Sequence, residues 1–418
     1  MSRAMKDSGI PWIGEIPEGW EIDTIGNLYT LRTEKVSDKD YAPLSVTKMG
    51  IVPQLETAAK TDDGDNRKLV RVGDFAINSR SDRRGSCGIS AYDGSVSLIN
   101  LVLTPRGQMY PRFYNWLFHT ELFADEFYKW GHGIVDDLWT TRWQEMKRIS
   151  IVSPSYQEQQ RIAEFLDRKC AEVDEMIALQ EQIIKELKAY KQSVITEAVT
   201  KGLNPAAPMR DSGIEWIGQI PEQWEVKPLK WDFDIIAGAT PKTDNANLWD
   251  GNIPWITPAD YKTEDRYISQ GRRNLSEEGM ASCATTLLPK GSIIFSKRAP
   301  IGLVVINSQP LCTNQGCIGC VPKKDDARYY YYTMSIFTEQ YELFGSGTTF
   351  KEISASNFAD FRLPHPSLTE QQAIADYLDD KCADIDALIA TKQQKIDSLK
   401  EYKKSIIYEY VTGKREVE

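Results

Sequence analysis

A chain of 418 residues is too long for one ordinary hydrophobic core and suits two or more domains. A charged fraction of 26% and an aromatic fraction of 10% exclude wholesale disorder, and no apolar run approaches the ~18 residues of a membrane span. The net charge of −10 argues mildly against a nucleic-acid partner, although segments 21–150 and 225–363 are each near −1.

The opening residues "MSRAMKDSG" lack the apolar core of a secretory leader, and the seven cysteines read as reduced thiols of a cytoplasmic protein. The first element is "DSGIPWIGEIPEGW", Asp7–Trp20. It returns as "DSGIEWIGQIPEQW", Asp211–Trp224, with eleven of fourteen positions identical at an offset of 204. Trp12, Trp20, Trp216 and Trp224 read as packing anchors. A globular middle follows each motif. "VRVGDFAINS" (70–79) and "LINLVLTPRG" (98–107) in the first, and "LPKGSIIFSK" (288–297) and "TNQGCIGCVPKK" (313–324) in the second, are predicted strands. Each middle ends in an aromatic segment with helical character, 113–130 and 328–344. The middles are otherwise diverged, and both read as mixed α/β (α+β) domains of one fold.

A long helix closes each copy. "SPSYQEQQRIAEFLDRKCAEVD" (153–174) is repeated as "HPSLTEQQAIADYLDDKCADID" (365–386) at an offset of 212. Ser155 with Glu158, and Ser367 with Glu370, have capping-box spacing. Apolar residues then follow 4-3 spacing through Ile162, Leu166, Val173, Met176, Ile183, Leu187, Tyr190 and Val194, and through Ile374, Leu378, Ile385, Leu388, Leu399, Tyr402 and Ile406. Gly202 and Gly413 end the runs. Rods of roughly 65 Å, at about 1.5 Å per residue, cannot leave such a seam in water, and each helix's natural partner is the other. Lys169, Lys381, Gln180, Lys392 and Lys395 interrupt the seam, either snorkelling out of it or fixing its register. The expected divisions are 1–150 (motif and first domain), 151–203 (first helix), 204–363 (motif and second domain) and 364–418 (second helix).

Motifs of chemistry are sparse. There is no Walker loop, G-x-G-x-x-G, H-E-x-x-H or G-x-S-x-G, and no catalytic, cofactor-binding or metal-ligating residue is expected. "SPSY" only faintly resembles an amino-methyltransferase motif. His119, His132 and His365 are scattered. Cys312, Cys317 and Cys320 have a C-x4-C-x2-C spacing known from iron–sulfur ligands. A fourth ligand is wanting: Cys382 is expected near the polar face of the second helix, and Cys283 breaks the order. "CTNQGCIGCVP" reads better as a turn into a buried strand, with cysteine as a small apolar residue. The basic loops carry more promise. Arg80, Arg83 and Arg84 follow one predicted strand, and Lys297 and Arg298 follow its equivalent. Arginines held this way reach phosphates or guanine edges. Thr240 and Lys242, in "GATPKTDNANLWDGNIPWIT" (238–257), and Lys48, with Arg32 and Lys35 in "LRTEKVSDKDYAPLSVTKMGI" (31–51), are weaker candidates.

Taken together, the two "DSGI-WIG-IPE-W" motifs, the "EQQ-IA-FLD/YLD" helix starts, the helix ends and the "GATPKT…LWDGNIPWIT", "GSIIFSKRAPIG…TNQGCIGCVP" and "YAPLSVTKMGIVPQ" strings resemble the specificity (S) subunit of type I restriction–modification systems. The first middle departs from the usual "NQG" strand with "LINLV". The resemblance implies a pseudo-two-fold repeat in which two target-recognition domains are separated by two long helices packed as an antiparallel coiled coil. It implies a non-catalytic subunit, each domain reading one half of a bipartite double-stranded DNA site. Partners would be two methyltransferase (M) subunits, which use S-adenosylmethionine to methylate adenine N6, and restriction (R) subunits, which use ATP and Mg. The rival reading is a coiled-coil assembly protein with two modules for ligands other than DNA.

Overall fold

The structure is a computed structural model that describes residues 3–55, 64–133, 139–345 and 351–417. Two compact units divide the chain. The first comprises residues 1–181 with 393–418, the second residues 182–392. Each contains one globular domain and half of each long helix.

Both globular domains begin with the repeated motif folded as a hairpin, Met5–Asp7 with Glu15–Pro17 and Met209–Asp211 with Gln219–Pro221. The strand after each hairpin pairs antiparallel with the strand that leaves the domain: Glu21–Thr24 with Ser150–Ser153, and Glu225–Pro228 with Arg362–His365. Chain entrance and exit are therefore hydrogen-bonded side by side in each domain.

In the first domain a four-stranded antiparallel sheet runs Cys87–Ile89, Phe75–Asn78, Asn100–Pro105, Tyr29–Leu31. A three-stranded sheet (Gly94–Val96, Arg67–Val70, Lys35–Val36) and the hairpin Leu44–Thr47/Gly50–Pro53 accompany it. The second domain has five strands in the order Phe233–Ala237, Cys317–Pro322, Ile293–Ser296, Val304–Asn307, Tyr267–Ile268, the last pair parallel. Its smaller sheet is Arg273–Leu275, Trp249–Ile256, Cys312–Thr313. The strand pairs expected to correspond do so: Phe75–Asn78 is hydrogen-bonded to Asn100–Pro105 as Ile293–Ser296 is to Cys317–Pro322. Each aromatic segment is two helices, not one: Pro111–Phe118 and Glu121–Lys129, then Ala327–Ser335 and Thr338–Phe344. The Thr120 hydroxyl makes the first break by capping a new start, accepting from Phe123 N.

The long helices are Tyr156–Lys201 and Leu368–Val411. At the second start the capping box is reciprocal: Glu370 N donates to Ser367 Oγ and Ser367 N to the Glu370 carboxylate. At the first start Glu158 N donates to Ser155 Oγ, but the Glu158 carboxylate turns to Arg3, 2.5 Å away. Both ends are glycines at φ +72°, a conformation that side chains with a Cβ rarely adopt. The helices run antiparallel. In the first unit Lys403 Nζ donates to Asp174 at 2.6 and 2.7 Å, and in the second Lys191 Nζ donates to Asp386 at 2.7 and 2.8 Å. The offset of 212 converts one bridge into the other, so the repeat extends to side-chain pairing.

The apolar seam differs from expectation along its middle. Ile162, Leu166, Val173, Ile374, Leu378, Ile385 and Ile406 are buried, but Met176, Tyr190, Leu388 and Tyr402 are 41%, 59%, 50% and 43% exposed. Near the helix ends a domain covers the seam as well; away from them, one neighbouring helix shields only part of it. Of the interrupting residues, Lys169 pairs with Glu172 on its own helix at 2.9 Å. Cys382, expected near the polar face, is instead buried, as is its counterpart Cys170. Both lie in the cores where a domain meets the helices.

The tryptophan anchors are where the sequence placed them. Trp20 and Trp224 are fully buried. Trp20 meets Phe113 edge-on at 6.3 Å, Trp12 meets Phe123 at 6.0 Å, and Trp216 stacks on Phe361 at 5.6 Å. A Cβ added to Gly413 would lie 2.4 Å from Pro17 and 2.9 Å from Trp20, and one added to Gly202 would lie 3.1 Å from Trp224. Each motif thus closes over the terminal glycine of a long helix. Trp20→Ala and Trp224→Ala should each cost about 3–5 kcal/mol, the usual range for a buried aromatic. Thermal or denaturant unfolding checks this; a loss below about 1 kcal/mol in either variant would mean that the motif does not fasten its unit.

Candidate functional site

The basic loops expected to contact a ligand occupy equivalent places. Gly73 and Gly291, both at positive φ, start the hairpins that carry them, so Arg80 corresponds to Arg298 at an offset of 218. Each arginine also forms an isolated backbone bridge, Arg80 with Thr140 and Arg298 with Glu352. Those partners lie in equivalent segments, at an offset of 212.

The cations are not bare. Arg80 and Arg83 lie 3.4 and 3.7 Å from the Asp82 carboxylate, and Arg84 pairs with Asp125. In the second domain Glu352 accepts from both Lys297 and Arg298 at 2.8 Å. The hydrogen bond from Lys297, and after it that from Arg298, holds the Glu352 carboxyl below the usual glutamate range against its partial burial. A depressed folded-state pKa means that the pairing stabilises at neutral pH and is lost as pH falls through that lowered value. Arg83, Arg84 and Arg298 remain largely solvent-exposed, so a ligand anion can compete for them.

Thr240 comes to the same end of the second domain. Its hydroxyl donates to Gln315 Oε1, and Lys297 N donates to Gly316 O at 2.9 Å, so Thr240, Gln315, Lys297 and Arg298 form one cluster. Gln315 was not anticipated: the sequence showed it only inside a strand motif, and its partner Thr240 lies 75 positions earlier. Lys242 is exposed on the adjoining loop, where its carbonyl accepts from Trp249 Nε1 at 3.1 Å. Lys48 is not drawn to the arginine loop of its domain. It sits in the tight turn of the Leu44–Thr47/Gly50–Pro53 hairpin and lines a cleft of about 820 Å³ with Arg112, Trp116, Asp167 and Lys403. Among the described residues, Lys48 and Lys242 have no ion pair. Arg32, one of the weaker candidates, is committed elsewhere: its guanidinium donates to both oxygens of buried Asp74 at 2.7 and 3.0 Å.

The cysteine triplet does not converge. Cys320 faces the main core of the second unit, Cys317 packs with Ile256 and Leu288, and Cys312 packs with Leu248 and Trp249. Cys317 and Cys320 are three apart on one strand and so point to opposite faces. Burial pushes the thiols up, Cys312 to about 11 and Cys317 to about 12.

The histidines also stay apart. His119 ends a helix, His132 is exposed 3.9 Å from Glu145, and His365 joins Asp232 and Asp325. This last group was invisible in the sequence, its members being 93 and 40 positions apart. The three offer ligand atoms within 4.8 Å of one another, a set that could hold a metal ion. Its hydrogen bonds are already met from within. Tyr330 OH donates to Asp232 Oδ2 at 2.7 Å and lies 2.8 Å from His365 Nδ1, and Gln371 donates to Asp325 at 2.8 Å. The group ties the entrance and exit of the second domain to the start of the second long helix. The repeat offsets place Leu28 and Ser153 at the positions of Asp232 and His365, so the first domain lacks it.

In the native protein, partly exposed Cys283 should react first with a thiol reagent at pH 7–8, while buried Cys312, Cys317 and Cys320 stay protected. Mass spectrometry of the alkylated protein reads this directly; equal labelling of the triplet would contradict the three separate cores.

A family model described as the type I restriction modification DNA specificity domain matches residues 221–401. The chain is 40% identical over 171 residues to the MjaIX type I restriction enzyme specificity subunit of Methanocaldococcus jannaschii, spanning 39% of this chain and 40% of that relative. It is 25% identical over 436 residues to the putative MjaX specificity subunit of the same organism, spanning 96% and 95% of the two. The fold is similar to a chain solved in a study of complex assembly and conformational transition of the type I R-M system, with a TM-score of 0.75, 17% identity and coverage of 95% and 98%. It is also similar to the HsdS subunit from Thermoanaerobacter tengcongensis, with a TM-score of 0.55, 18% identity and coverage of 96% and 98%.

Proposed function

We propose, from the premise that the chain belongs to the family of type I restriction–modification DNA specificity subunits, that its two domains read the two halves of a bipartite double-stranded DNA site. One observation carries the assignment to two readers. Arg80 and Arg298, each in a basic loop, occupy equivalent hairpin positions in domains whose surfaces have otherwise diverged. A shared scaffold with different loops is what two different half-sites require. The loops supply cations for phosphate oxygens and guanine edges, and the near-neutral domains leave much of the general phosphate attraction to other subunits.

The chain does no chemistry itself in this reading. Two copies of a methyltransferase subunit, carrying S-adenosylmethionine, dock on the helices and methylate adenine N6; restriction subunits add ATP- and Mg-dependent cleavage. The docking proposal is supported by the exposed part of the seam. Met176 and Tyr402 in the first unit become Leu388 and Tyr190 in the second under the offset of 212, so each unit offers an equivalent pair of exposed, largely apolar side chains. Two equal surfaces suit two equal partners. No described helix is long and apolar enough to cross a membrane, and the chain is proposed to work in the cytoplasm, where the DNA is.

Replacing segment 21–150 by the matching segment of another specificity subunit should change one half of the methylated motif and leave the other intact. Sequencing of N6-methyladenine in cells carrying the hybrid complex reads the motif, and a change in both halves would refute independent readers. Arg80→Ala and Arg298→Ala test the loops singly. Loss of a bidentate base contact should cost about 1–3 kcal/mol and relax one position, whereas loss of a phosphate contact weakens all sequences alike and lowers the salt slope by about one. Binding to matched and mismatched duplexes at several salt concentrations separates the two. Wild-type binding in both variants would show that the loops do not touch DNA.

A further inference from the structure

We propose that the side-chain amide of Gln315 reads the major-groove edge of an adenine in the half-site of the second domain, with Thr240 as its positioning residue. The proposal rests on the DNA-reading function above and names one of its readers.

Gln315 is exposed on the short turn between the strands Cys312–Thr313 and Cys317–Pro322. The turn is built to hold it still. Asn314 N donates to Ile256 O, the Asn314 side chain accepts from Gly316 N, and Gly316 O accepts from Lys297 N, each at 2.9 Å. The loop carrying Thr240 lies against this turn, with Ala239 N donating to Thr313 O at 3.0 Å. That approach depends on Gly238, where a Cβ would lie 2.1 Å from Asn314 O. From the fixed loop, the Thr240 hydroxyl donates to Gln315 Oε1.

The amide is held with Oε1 against the Thr240 hydroxyl. Oε1 is held on one side and keeps a second lone pair. Nε2 has no protein partner among the described residues. The side chain therefore presents one acceptor beside one free donor. Adenine shows the complement in the major groove, an N7 acceptor beside an N6 donor. Guanine shows two adjacent acceptors, N7 and O6, one of which would face Oε1. Thymine offers only an acceptor and cytosine only a donor there. An amide with both ends assigned thus selects adenine, and selects it more sharply than one free to flip. Lys297 and Arg298, joined to the same turn, are placed to hold nearby phosphates and set the register.

The test is selection by the full chain, in complex with its methyltransferase partner, from a duplex pool randomised over the second half-site. Gln315→Ala should lower discrimination for A·T at one position of that half by roughly 5- to 150-fold, the equivalent of ~1–3 kcal/mol at about 1.4 kcal/mol per decade. All other positions, and the first half, should be unchanged. Thr240→Val should relax the same position to a lesser degree, and Thr240→Ser should restore it, which a merely space-filling threonine would not require. An unaltered motif in Gln315→Ala, or a uniform loss of binding across all sequences, overturns the assignment while leaving the DNA-reading function standing. A wild-type complex that selects no bipartite motif removes both.

Discussion

The closure of a tryptophan–proline hairpin over the last residue of a long helix is the contact on which the architecture depends. Trp20 and Pro17 lie on Gly413, and Trp224 lies on Gly202. Both glycines are left-handed, and the hairpin sits where a side chain there would have to go. Because the helices are antiparallel, the end of one lies beside the start of the other. The same end of the domain reaches both: Arg3, just ahead of the motif and over Trp20, takes Glu158 at the first start, and the Trp224 indole donates to Glu370 at the second, 3.2 Å away. One small hairpin therefore fixes a domain to two helices at once, and fourteen residues have less freedom to vary than the domain they secure.

The interhelical bridges add register more than stability. Asp174–Lys403 and Asp386–Lys191 are partly exposed, with aspartate side chains 58% and 56% accessible. Pairs of this kind contribute about 0.2–1 kcal/mol. Their value lies in direction, since a parallel or slipped packing would separate both pairs together. The exposed seam residues Met176, Tyr190, Leu388 and Tyr402 cost some stability in the isolated chain and leave the apolar surface on which the proposed partners would dock.

What the sequence disclosed was local or repeated. Capping spacing, terminal glycines and four buried or half-buried tryptophans could be named because each depends on a few neighbouring residues, and the second copy checked the first. Periodicity alone could not tell where along the rods a third surface covers the seam, so Met176 and Tyr402 looked as buried as Ile162, and Cys382 looked exposed. Pairings across long separations were equally hidden. Arg32 and Lys48 are both cations of one polar stretch, yet Asp74, 42 positions away from Arg32, makes that residue a structural tie. Glu352 lies 54 positions from Arg298, and Thr240 lies 75 from Gln315. The basic loops themselves were legible, Asp82 among them; the distant carboxylates that share them, Asp125 and Glu352, were not.

On the proposed reading of DNA by the basic loops, those carboxylates reconcile that role with a net charge of −10. Asp82, Asp125 and Glu352 partly neutralise the loop cations in the free protein. Exposed pairs of this kind are weak, in the range of about 0–1 kcal/mol, so a phosphate or base edge can displace them at small cost. That cost is the same for every DNA sequence. The return differs: a guanidinium on a matched guanine edge gains about 1–3 kcal/mol over a mismatch, while general phosphate attraction gains equally everywhere. Subtracting a constant from both lowers non-specific occupancy without changing the difference between right and wrong sites. A basic surface without such partners would bind more DNA and distinguish it no better. Under the proposed function, acidity and sequence reading are therefore compatible, because reading loops need contrast between sequences more than they need affinity.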